Sequence, residues 1–315
     1  MMPQGQGQDA PECHVERAAA GSSRTGRRNG GAMVMTVVSL LALGTVVCLH
    51  LPSLPRHWML DWAVPWFFFA SGFWYARSAK PYGEQVRARV KSLLVPYCLW
   101  NLAWFPILFA ANWLGTRYCG APRVVDGSAA CVFRCLGLNP CAWPALVPTW
   151  FLRALFAAVV VVGGVERLLA FGVRRAAAVR LAVCGFFWGV YMTCDLWMPA
   201  GEAWRGFFSF GLPHFGCAWF ATGLALAEVT RGHGQAPSAP WIRAARRQMM
   251  PVYLLHAPVI VTLGWGAKAL HRFDLLTTAM GDAVMWVVGV SGAVVLGEAL
   301  RRAAPRLAAL LFGGR

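Results

Sequence analysis

Eight long apolar stretches constrain this chain more than any other feature. They are Ala32–His50, Trp58–Tyr75, Ser92–Leu114, Ala145–Gly164, Leu181–Met198, Gly206–Ala227, Met249–Ala267 and Ala283–Glu298. A helix that crosses the hydrocarbon core of a bilayer needs about 20 mostly apolar residues. One such run could be a buried helix of a water-soluble core, but eight in succession leave no polar face for water. Composition agrees: 58% of the 315 residues are hydrophobic and 13% are charged, against about 25% charged in soluble domains. A disordered chain, a coiled coil and an ordinary soluble enzyme are excluded. The reading is all-α: a polytopic transmembrane helix bundle of about eight spans.

The net charge of +16 comes from 29 Lys and Arg against 13 Asp and Glu. Its placement matters more than its size. Twenty-one of the 29 basic residues fall in alternate inter-window segments, among them Arg24, Arg87, Arg89, Lys91, Arg174, Arg243, Arg246 and Arg301. Seven fall in the other segments, and Arg153 alone lies inside a window. Basic residues mark cytoplasmic loops, so both termini are expected in the cytoplasm. Scattered over five short segments, the charge does not suit nucleic acid; membrane lipids are the expected electrostatic partners. Residues 1–31, rich in Gly, Gln, Ser and Arg, read as a disordered cytoplasmic tail. The membrane domain follows from 32 to 300, and 301–315 read as a second cytoplasmic tail.

Four of the ten cysteines, Cys119, Cys131, Cys135 and Cys141, crowd into the loop 115–143. The charge map puts that loop outside the cytoplasm, where disulfides persist. Two bridges are the natural reading, with all three pairings open. A zinc site is the rival, but no CxxC pair supports it, and no metal is expected.

Ionisable residues inside spans are costly and so are candidates for function. His50, Asp61, Arg153, Asp195, His214 and His256 form the set. Arg153 is permanently charged and needs an anion, either Asp61, Asp195 or a ligand. His50 ends the first window, ahead of Leu51-Pro52-Ser53-Leu54-Pro55, and titrates in the range of a general base near neutral pH. Arg87, Arg89 and Lys91 alternate just before Ser92; they serve topology, and could also meet a phosphate-bearing donor.

Four stretches carry a likeness to a known family: Pro65-Trp66-Phe67-Phe68-Phe69-Ala70-Ser71-Gly72-Phe73, the run from Arg87 to Asn101 containing Leu94-Val95-Pro96-Tyr97, Thr149-Trp150-Phe151-Leu152-Arg153, and Pro251-Val252-Tyr253-Leu254-Leu255-His256. In this order the chain resembles integral-membrane acyltransferases of the acyltransferase 3 type, which acylate cell-surface glycans. The resemblance implies a multi-pass protein of the bacterial plasma membrane, a family norm of about ten spans, and no bound cofactor. The implied donor is acyl-CoA, most simply acetyl-CoA, and the acceptor a hydroxyl of a surface glycan or lipid-linked sugar. It implies that His50 is the catalytic base, with Arg153 as oxyanion partner. His256, Tyr253, Arg89, Lys91, Trp150 and Asn101 would bind substrate. Ser39 stands where the family usually has a basic residue, eleven positions before the histidine. A transporter or flippase of lipid-linked sugars or short acids is the alternative; it needs the same polar residues and no chemistry.

Overall fold

The computed structural model describes residues 33–51, 57–119, 128–135, 146–171, 176–197, 214–230, 239–269 and 278–314. The expected tail 1–31, most of the loop 115–143 and Cys141 lie outside them, as do the side chains of Asp61, Asp195, Cys119 and Cys135. All regular structure among the described residues is helical. We number the helices α1 (Met33–Cys48), α2 (His57–Ala76), α3 (Tyr82–Arg89), α4 (Val95–Cys119), α5 (Ala129–Cys135), α6 (Trp150–Ala170), α7 (Ala176–Trp197), α8 (His214–Val229), α9 (Pro240–Ala269), α10 (Ala279–Ala303) and α11 (Pro305–Leu311). A π-turn, Val90–Leu94, joins α3 to α4, and a 3₁₀ turn, Val147–Thr149, leads into α6.

Among the described residues each of the eight apolar windows overlaps a helix, and several helices overrun their windows; 206–213 of the sixth window lie outside the described residues. Local chemistry explains the ends. Thr278 caps α10 by accepting from the Gly281 amide at 3.0 Å. Pro305 starts α11, where its missing N–H costs nothing. Prolines inside helices, Pro65, Pro106, Pro251 and Pro258, are a tolerated feature of membrane helices. Half-buried hydroxyls are satisfied within their own helix: Ser39 donates to the Met35 carbonyl at 2.7 Å and Thr222 to that of Ala218 at 2.9 Å.

Three helical stretches, Tyr82–Leu114, Ala176–Cys194 and Ala279–Ala303, are long and apolar enough to cross a membrane. They lie on the outside of the bundle, and most of each remains uncovered by protein. Leu102, Phe186, Val287 and Val295 are all more than half exposed. An apolar surface of this extent marks a contact with something other than water.

The core runs through α2, α6, α8 and α9. The closest seam joins α2 to α8. A Cβ on Gly72 would sit 1.9 Å from the Phe220 carbonyl oxygen, and one on Gly223 would sit 2.0 Å from that of Phe69. Only glycine permits such backbone contact. One end of the bundle is tied by cations. Arg77 donates to the carbonyl and hydroxyl oxygens of Thr230, both at 2.8 Å. Arg180 bridges Glu166 at 2.7 Å and Glu228 at 2.6 Å. Arg301 reaches Gln248 at 3.0 Å and the Arg247 carbonyl. We call this the basic end.

The segment read as a second cytoplasmic tail, from residue 301, is helical through Leu311. It completes α10, turns at Ala304 and packs α11 back on the bundle. Phe312 is fully buried, and the Trp100 indole donates to the Leu311 carbonyl at 3.0 Å. Gly313 takes φ +71°, and a side chain there would strike the backbone of Ser92.

Candidate functional site

A chamber opens near the basic end, between α1, α2, the π-turn and α9. Helical spacing builds its walls: Thr36, Ser39 and Leu43 form one stripe of α1, and Phe67, Ser71 and Trp74 one stripe of α2. The wide part holds about 410 Å³ and the deeper part about 120 Å³; Phe67, Ser71, Arg89 and Met249 line both. Two guanidinium groups face the wide part. Arg89 enters from the end of α3, and Arg246 enters from α9. The Arg246 Nε donates to the Thr36 hydroxyl at 3.0 Å, and its guanidinium lies 5.4 Å from the Trp74 ring. Ser39 faces the same chamber and accepts from the Trp66 indole at 3.0 Å.

The deep part ends on Phe151, from α6, and Tyr253, from α9. Their rings meet edge to face at 5.7 Å. The Tyr253 hydroxyl donates to the Pro148 carbonyl, which pins α9 to the turn before α6. Beyond Tyr253 stands His256, its ring 6.3 Å away. His256 is fully buried, and its Nδ1 lies 2.9 Å from the Val252 carbonyl. A carbonyl only accepts, so Nδ1 carries the proton and Nε2 is a bare acceptor. That Nε2 is buried with no hydrogen-bond partner among the described residues. The His50 ring lies 5.0 Å from the His256 ring, tilted by 53°. His50 sits in the turn that ends α1, its amide bonded to the Val47 carbonyl at 3.1 Å. The two histidines, 206 positions apart, thus form one imidazole pair.

The remaining expected residues distribute differently. Arg153 faces α4: its Nη1 donates to the Tyr97 hydroxyl at 3.3 Å, and its guanidinium lies 5.8 Å from that ring. Trp150 begins α6 and packs against Phe151 at 6.3 Å. Asn101 is fully buried. It donates to the Tyr97 carbonyl at 2.7 Å and to the Thr149 hydroxyl at 2.9 Å, and accepts from the Leu146 amide at 3.0 Å. These bonds fix the 3₁₀ turn ahead of Arg153. Arg89 and Lys91 part company: Arg89 lines the chamber, and Lys91 is exposed. His214 opens α8 with its ring 5.2 Å from Tyr191. Among the four loop cysteines, only the side chain of Cys131 is described; it is buried against Trp104, Phe105 and Leu108.

Sequence reasoning did not single out Arg246, Ser71 or Asp282. Arg246 was hidden in a run of topogenic arginines, although it lies just three residues before an apolar window. Asp282 is 3% exposed in the first turn of α10, and it fell one residue outside the window that begins at Ala283. Compared with family models, curated proteins and solved structures, the chain gives no match.

Proposed function

We propose that this chain is a membrane-bound O-acyltransferase of the bacterial plasma membrane, with about eight spans and both termini in the cytoplasm. It moves an acetyl or other short acyl group from acyl-CoA to a hydroxyl of a cell-surface or lipid-linked glycan. One observation carries the reading: a chamber with two arginines at its wide part ends on Tyr253, whose ring stands 6.3 Å from that of His256, the partner of His50. Charge alternation puts the arginines on the cytoplasmic side, where acyl-CoA is found. Arg89 and Arg246 are suited to its phosphates.

In the reaction, the acceptor hydroxyl attacks the thioester carbonyl carbon. A neutral hydroxyl is a weak nucleophile, so a base must take its proton as the C–O bond forms. His50 takes that role, with the bare His256 Nε2 beside it to hold the hydroxyl or His50 itself in line. The tetrahedral oxyanion needs a fixed positive donor; the resemblance implies Arg153, which bonds Tyr97 on the α4 side and does not line the chamber. Collapse breaks the C–S bond, and the proton from His50 leaves with the CoA thiol. The position of Arg246 also bears on Ser39. A side chain from α9 brings a guanidinium to the α1 face one turn from Ser39, so the chamber has cations although position 39 has none.

The test is transfer of labelled acetyl from acetyl-CoA by purified protein, with a His50→Ala control. Transfer that vanishes in the variant supports the reading. Wild-type transfer in the variant removes His50 from the mechanism. Substrate flux into liposomes without acyl turnover would make the protein a transporter instead.

A further inference from the structure

A second cavity, of about 450 Å³, lies at the basic end and shares no lining residue with the chamber. It is bounded by the end of α2, by α3, by the last turns of α6 and by the start of α7. Its floor is the ion cluster in which Arg180 holds Glu166 and Glu228. The Glu166 carboxylate is engaged there, and Arg180 is 11% exposed, so neither is free for a ligand. The rim is different. Lys80 and Arg167 line the cavity, are exposed, and have no ion-pair partner among the described residues. Ser78 adds a hydroxyl beside Lys80. Next to these cations stand Leu168 and Phe171, which line the same cavity and are 76% and 93% exposed.

We propose that this cavity binds the headgroup of an anionic phospholipid. The phosphate would sit between Lys80 and Arg167, and the acyl chains would run along Leu168 and Phe171. A basic pocket between helices at the cytoplasmic face is the recognised form of such a site. A soluble phosphate or nucleotide would use the two cations, but would have no use for the two bare apolar side chains. The inference rests on the membrane reading above and not on acyl transfer.

Binding is measured by native mass spectrometry of the full-length protein, with phosphatidylglycerol and phosphatidylcholine as probes. Glycerol 3-phosphate is the soluble control. Phosphatidylglycerol is expected to bind in preference to phosphatidylcholine. K80Q and R167Q should each weaken it about fivefold, near the ordinary share of one basic side chain at an anionic surface. R306Q, an exposed cation outside the cavity, should change nothing. L168S with F171S should weaken the lipid and leave glycerol 3-phosphate unaffected. Acyl transfer should persist in all of these variants, so failure here is separable from failure of the proposed activity. Equal binding of the two lipids, unchanged binding in the K80Q/R167Q protein, or glycerol 3-phosphate bound as tightly as the lipid would each overturn the proposal.

Discussion

Two faces of α2 are built on opposite plans. Toward α8, Gly72 and Gly223 bring backbones into contact, and Gly216 admits the Phe68 ring, which a Cβ there would meet at 2.6 Å. Toward α1 and α9, long side chains (Phe67, Trp74, Met249 and Arg246) hold the helices apart around open space. Lipid tails are as apolar as leucine, so close packing has to supply what the hydrophobic effect cannot supply between membrane helices. The glycine seam is where the bundle gets that packing. A ligand chamber gives it up, and the comparison teaches that α2 anchors on one side in order to stay open on the other.

The contrast predicts that substitutions on the open side strike activity and spare assembly, and that those on the seam do the reverse. The largest effect belongs to the histidine pair. His50→Ala or His256→Ala should lower acyl transfer by about 10²–10⁴-fold, the usual weight of a positioned base, with normal yield of monodisperse protein. A collapse in yield for both would mean that the pair is packing. Next is Gly72→Ala, which forces a methyl into the Phe220 backbone. It should cost about 3 kcal/mol, read as loss of folded protein in a detergent unfolding titration. A stable Gly72→Ala protein would break the comparison. Third, Arg246→Ala should raise the donor KM by about tenfold to a hundredfold, as for a lost charge-assisted bond, with kcat less affected. An unchanged KM would remove Arg246 from the donor site. The smallest effect separates Asn101 from the substrate. Asn101→Ala orphans the Leu146 amide and should destabilise by about 1–2 kcal/mol, while the KM of the remaining folded enzyme stays near wild type.

The helices were legible because apolar runs of spanning length have few other fates. Even the short, Gly-containing window at Ala283–Glu298 became one of the three helices of membrane-crossing length. Its glycines are packing residues: a Cβ on Gly297 would sit 2.7 Å from Pro251, and one on Gly289 3.0 Å from Ile260. The site was legible only in pieces. His50 and His256 each stood out as an ionisable residue in a span, but their meeting is a property of how α1 and α9 cross. Asn101 and Arg246 show what residue spacing leaves open. Asn101 lies in a suggestive stretch, and its amide is engaged by the Tyr97 carbonyl, the Thr149 hydroxyl and the Leu146 amide. Arg246 looks like one more topogenic charge, and it reaches back to Thr36, 210 positions earlier.

The π-turn at Val90–Leu94 has a consequence of phase. Its wider winding absorbs about one extra residue without breaking the helix, and one residue is worth about 100° of rotation. Everything upstream of Val90 is therefore turned relative to α4, and Arg89 is the last residue on the turned side. Deleting a single residue from this stretch would restore an unbroken α-helix. It would also swing Arg89 by more than a quarter of a circle and present a different side chain to the chamber. Between α3 and α4, the angular setting of one cation depends on a count of residues, not on the strength of any contact.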